Sequence, residues 1–104
     1  LLLAEKGGAD PAAVRDALRG GFAESRILEV HGKRMVDREF TPGAKSTTQI
    51  KDLETILATA REIGFEMPLS KEVYARYLDL RDRLKGGDLD HAALFLQLEA
   101  PPTS

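Results

Sequence analysis

Between residues 46 and 64 apolar side chains recur at intervals of three and four: Ile50, Leu53, Ile56, Leu57, Ala60 and Ile63, with Gly64 closing the run. That period belongs to a helix with one buried face, because a strand repeats every two residues. At about 100° per residue, with Ile50 as origin, the six positions fall in an arc from roughly 220° to 360°. Lys51 falls near 100°, roughly on the far side of the same helix. A cation there does not serve the helix's own core and is placed to face a partner, a second domain or an anionic ligand. It also lies in the first two turns, where the helix dipole and unpaired N–H groups favour anions, so the locality is expected to be positive.

The rest of the chain reads the same way. Leu1-Leu2-Leu3-Ala4-Glu5-Lys6 has neither an initiator Met nor a capping residue ahead of it. It reads as the closing turns of a helix that begins upstream. Asp10 caps a second helix with Pro11 in its first position and Val14, Ala17 and Leu18 on one side. Ser25 caps a third, on which Ile27, Leu28, His31 and Met35 keep helical spacing. Thr41-Pro42-Gly43 breaks the chain before the fourth, at 46–64. Pro68 and Ser70 open a fifth with Val73, Tyr77, Leu80 and Leu84 on its inner stripe. Asp88-Leu89-Asp90 starts a sixth that carries Leu94, Phe95 and Leu98. Lys6-Gly7-Gly8, Arg19-Gly20-Gly21 and Lys85-Gly86-Gly87 each read as a helix stop, a cation followed by glycines. The expected fold is all-α, an orthogonal bundle of about five to six helices around one core over residues 1–99. Ala100-Pro101-Pro102-Thr103-Ser104 cannot continue a helix and reads as a disordered tail.

Composition removes several classes of function. A net charge of −2 argues against binding duplex nucleic acid. The absence of cysteine excludes disulfide frameworks and thiolate metal sites. No apolar run approaches the roughly 20 residues that cross a bilayer. A soluble protein of a reducing compartment, cytoplasmic, is expected. Neither GxGxxG nor GxxxxGK[ST] occurs, so no phosphate-cradling loop is present. His31 and His91 lie in no metal-ligand spacing. Asp88, Asp90 and His91 could group around a cation, yet carboxylates at a helix start also complement its dipole, and no metal is expected. Tyr74 and Tyr77, with Arg76 and Arg81 nearby, fit a stacking surface or, more simply, amphipathic packing.

Longer motifs carry a resemblance. Gly8-Ala9-Asp10-Pro11, Gly20-Gly21-Phe22-Ala23-Glu24-Ser25, Phe40-Thr41-Pro42-Gly43, Ile50-Lys51-Asp52-Leu53, Gly64 with Pro68-Leu69, and Gly86-Gly87-Asp88-Leu89-Asp90-His91 stand in one order over nearly the whole chain. Together they resemble the C-terminal domain of the β-hydroxyacid dehydrogenases, a family that includes 3-hydroxyisobutyrate dehydrogenases and tartronate semialdehyde reductases. The most specific piece is Lys51-Asp52-Leu53 on a helix after a Phe-x-Pro loop.

The resemblance implies the smaller half of a two-domain enzyme. In that family an N-terminal Rossmann domain binds NAD or NADP, a long helix crosses to an all-α domain, and the substrate lies in the cleft between. Hydride then passes between the nicotinamide and a 3-hydroxy acid or its semialdehyde. The lysine matching Lys51 contacts the cofactor; Phe40 and Asp52 look like cleft wall. The family's general acid/base lysine, in Gly-x-x-Gly-x-x-x-Lys-x-x-x-Asn, has no counterpart in these residues, so no catalytic residue is assigned and the chain alone is expected to be inactive. Two departures stand out: Ala44 where the family often has an aromatic, and Asp90-His91-Ala92 where it commonly has Asp-x-Ser. The resemblance also implies a homodimer or higher homo-oligomer. The competing reading is a stand-alone helical interaction or dimerisation module that binds no cofactor.

Overall fold

The computed structural model describes residues 1–103. They sort into two compact units, Leu1–Phe40 and the residues from Thr41 onward. Among the described residues there are helices and turns but no strand, so the chain is all-α as expected. Of the expected tail at 100–104, Ser104 lies outside the described residues.

The first unit holds α1 (Leu2–Lys6), α2 (Pro11–Leu18) and α3 (Arg26–Asp37). Its helix starts follow the sequence. The Asp10 carboxylate accepts the Ala12 N–H at 3.1 Å, and the Ser25 hydroxyl accepts the Leu28 N–H at 2.9 Å. Each satisfies a donor that the helix itself cannot. After α1 the left-handed residue is the second glycine, Gly8 at φ 96, rather than Gly7. Arg15 ties α2 to α3 by donating to the carbonyls of Leu28 at 3.4 Å and Glu29 at 2.9 Å. The apolar positions are less covered than their spacing predicts: Leu18 is exposed, and so is Ile27.

The second unit holds α4 (Ser46–Glu62), α5 (Pro68–Asp82), a 3-10 turn at His91–Ala93 and α6 (Leu94–Glu99). Its core is built from Ile50, Leu53 and Ala60 of α4, Tyr77 and Leu80 of α5, and Ala92, Ala93 and Phe95 near the C-terminus. Two members of the expected α4 stripe are corrected by the structure, because Ile56 is 42% exposed and Ile63 is 73% exposed. Burial is confined to the arc of Ile50, Leu53 and Ala60, with Leu57 half-buried, and the edge of the stripe lies uncovered. Leu98 is likewise exposed where the spacing predicts core, and Gln97 beside it is buried instead. Gln97 is held in place by polar partners. Its amide donates to Asp79 at 3.0 Å and its oxygen accepts from Arg76 at 3.2 Å.

The third glycine pair is a different device from the first two. The left-handed residue after α5 is Lys85, at φ 58, while Gly86 and Gly87 are buried. A Cβ at Gly86 would stand 2.7 Å from Leu80 Cδ1, and one at Gly87 would stand 3.0 Å from Thr47 Cγ2. Glycine is required there for close approach, so the backbone of 86–87 can lie against α5 and the start of α4.

Candidate functional site

Lys51 lies in the second turn of α4 and is exposed, on the side away from Ile50, Leu53 and Ala60. Its ammonium makes no ion pair among the described residues, and its carbonyl accepts the Thr55 hydroxyl at 3.1 Å. Asp52 is exposed on the same helix. Phe40, which closes the first unit, is 8% exposed. The three expected site residues therefore differ: two are presented on α4, and the third is largely withdrawn from solvent.

What holds α4 in place was not visible in the spacing. Lys45 precedes the helix without a side-chain cap. The Ser46 N–H donates instead to the Leu89 carbonyl at 2.8 Å, and the Thr47 N–H to the Gly87 carbonyl at 3.0 Å. Thr48 and Gln49 both donate to the carbonyl of Lys45. This corrects the expectation of an anion-ready helix start: the chain's own carbonyls occupy the first donors, and Lys51 carries the local positive charge without them.

Asp90 is the buried partner of this arrangement, 1% exposed. Its Oδ1 accepts the Gly43 N–H at 2.9 Å and the Ala44 N–H at 3.4 Å, and its Oδ2 accepts the Ala92 N–H at 2.9 Å. Lys45 and Asp90 form an isolated antiparallel bridge, flanked by the His91 N–H on the Ala44 carbonyl at 2.9 Å. Ser46, fully buried, donates its hydroxyl to the Leu89 and Asp90 carbonyls, each at 3.1 Å. One carboxylate and one hydroxyl thus join the 43–46 segment to the 89–92 segment. Asp88, by contrast, is exposed and pairs with Lys45 at 3.4 Å. A capping role for Asp90 is legible in Asp-His-Ala-Ala; its reach to Gly43 has no local signal.

Nearly the whole sequence matches known proteins. A family model described as NAD-binding of NADP-dependent 3-hydroxyisobutyrate dehydrogenase matches residues 1–98. The chain belongs to that family. It is 46% identical over 99 residues to the 2-hydroxy-3-oxopropionate reductase of Escherichia coli (strain K12), covering 95% of this chain and 34% of the reductase. To a probable 3-hydroxyisobutyrate dehydrogenase-like 1, mitochondrial, of Arabidopsis thaliana it is 32% identical, covering 95% of this chain and 29% of that protein. A crystal structure of 3-hydroxyisobutyrate dehydrogenase from Salmonella typhimurium matches with a TM-score of 0.83 at 22% identity, over 90% of this chain and 33% of the other, which shows a shared fold. The chain spans about a third of the length of these relatives.

Proposed function

We propose that this chain is the all-α domain of an NAD(P)-dependent oxidoreductase that interconverts a 3-hydroxy acid, of the 3-hydroxyisobutyrate or glycerate type, and its semialdehyde. Family membership together with an exposed, unpaired Lys51 carries the reading. The nicotinamide, when bound, accepts or supplies the hydride. Lys51 fits a contact to such a cofactor, because an exposed ammonium off the core face donates to an anionic or carbonyl oxygen without breaking any bond of its own. Asp52, an exposed carboxylate on the same helix, belongs to the proposed cleft wall.

The dinucleotide is held mainly elsewhere in the enzyme in this reading. It follows that the 104-residue chain by itself turns over neither NADH nor NADPH with tartronate semialdehyde. In the intact enzyme, Lys51→Ala raises KM for the nicotinamide nucleotide about ten- to a hundredfold, the loss of one charged hydrogen bond. An unchanged nucleotide KM would sink the assignment and favour a helical interaction module. A homodimer or higher homo-oligomer belongs to the same proposal. Leu3 at 87% exposure and Phe22, fully exposed, support it, since apolar side chains of that kind are the material of interfaces. Size-exclusion chromatography of the intact protein tests this, and a strict monomer at high concentration would reject it.

A further inference from the structure

We propose that Asp90 is a positioning residue for Lys51, acting through the 43–46 segment and the start of α4. The inference rests on the function proposed above and assigns a task to a residue that makes no contact with Lys51. Asp90 is buried and distributes its two oxygens over three backbone N–H groups, those of Gly43 and Ala44 on one side and Ala92 on the other. The segment so held runs directly into Ser46, the first residue of α4. Ser46 is in turn fastened by its N–H and hydroxyl to the Leu89 and Asp90 carbonyls.

A helix is a stiff rod, so its first turn fixes both its rotation and its axial position. Lys51 lies five residues beyond Ser46, about 7.5 Å along the axis. A small rotation of the helix start therefore swings the ammonium through the same angle. Only a carboxylate can satisfy donors on both of its oxygens. An amide in its place directs an N–H at a backbone N–H and leaves one side of the junction unbonded. Displacements of around 1 Å at a reacting group are worth up to about a hundredfold in rate or affinity.

The test is a double-mutant cycle in the intact enzyme, read as KM for NADH and NADPH well below the melting temperature. Asp90→Asn is expected to raise that KM about tenfold, and Asp90→Asn combined with Lys51→Ala is expected to be no worse than Lys51→Ala alone. A merely structural role would lower thermal stability yet leave the two effects multiplying, and that outcome overturns the inference. If Asp90→Asn does not fold, Ser46→Ala removes only the two hydroxyl contacts and is put through the same cycle against the same criterion. If Lys51→Ala itself leaves KM unchanged, the functional reading fails first. If Lys51→Ala raises KM and neither junction variant does, only the positioning role is lost.

Discussion

The Tyr77 hydroxyl donates to the main-chain carbonyl of His91 at 2.7 Å, joining the middle of α5 to the turn that leads into α6. Both ends of this bond are on the Asp90 side of the second unit. The phenol is buried, 7% exposed, and burial pushes its pKa up to about 12, with the negative charge of Asp90 acting in the same direction.

That shift has a definite sign. The folded pKa lies above the unfolded value of about 10, so the contribution is complete below pH about 10 and disappears as pH rises towards 12. Melting temperature is expected to fall across that window. Tyr77→Phe should flatten the alkaline fall and cost about 1 kcal/mol at neutral pH, because the His91 carbonyl loses its donor. Denaturation followed by circular dichroism checks both effects, and an unchanged alkaline limb in the variant would contradict the assignment.

Acid should act through a different residue. Arg83 forks onto Asp79, Nε to Oδ1 at 2.9 Å and Nη2 to Oδ2 at 2.7 Å, and the Gln97 amide adds a third bond. The hydrogen bonds from Arg83 and then Gln97 hold the Asp79 carboxyl down at about 2. A depressed carboxylate stabilises the fold above its unfolded pKa, about 4, and the effect is lost as pH falls towards 2. Asp79→Asn is expected to lessen the acid dependence of unfolding between those values, and an acid limb as steep as that of the parent protein would reject the prediction.

Gly86→Ala tests the close approach. The added methyl would meet Leu80, which is fully buried, at 2.7 Å from Cδ1 and 3.1 Å from Cγ. Overpacking of this kind costs about 1–3 kcal/mol. Combining it with Leu80→Ala should recover part of the loss, since the cavity left by the leucine takes up the new methyl. Urea denaturation of the two single variants and the double variant measures the coupling, which should be clearly sub-additive.

Lys51→Ala, by contrast, should leave stability within about 0.5 kcal/mol of the parent, as expected for an exposed side chain without partners. A large loss of stability would show that the ammonium serves the fold after all. The same variant's effect on nucleotide KM then reads function free of folding.

Local chemistry explains why much of this was legible beforehand. Asp10 and Ser25 start helices because their side chains replace missing backbone acceptors, and the residues involved lie within three positions. The outward placement of Lys51 follows from Ile50, Leu53 and Ala60 alone, since helical geometry relates residues a turn apart. Ile56 and Ile63 show where that logic ends. Their spacing places them on the apolar stripe, but coverage depends on which neighbour crosses the helix at that height, and within the second unit they remain exposed.

The order and capping of the helices, the outward aim of Lys51 and the family resemblance were written in the chain itself, because each rests on residues close together or on motifs kept in sequence. Tertiary structure alone decided that Gly86 and Gly87 serve close packing and that the first donors of α4 are taken by the Leu89 and Gly87 carbonyls. It also decided that Asp90 holds the segment leading to Lys51. Those bonds join residues forty or more positions apart, and no local pattern records which distant carbonyl or carboxylate will meet a given N–H once the apolar faces have closed.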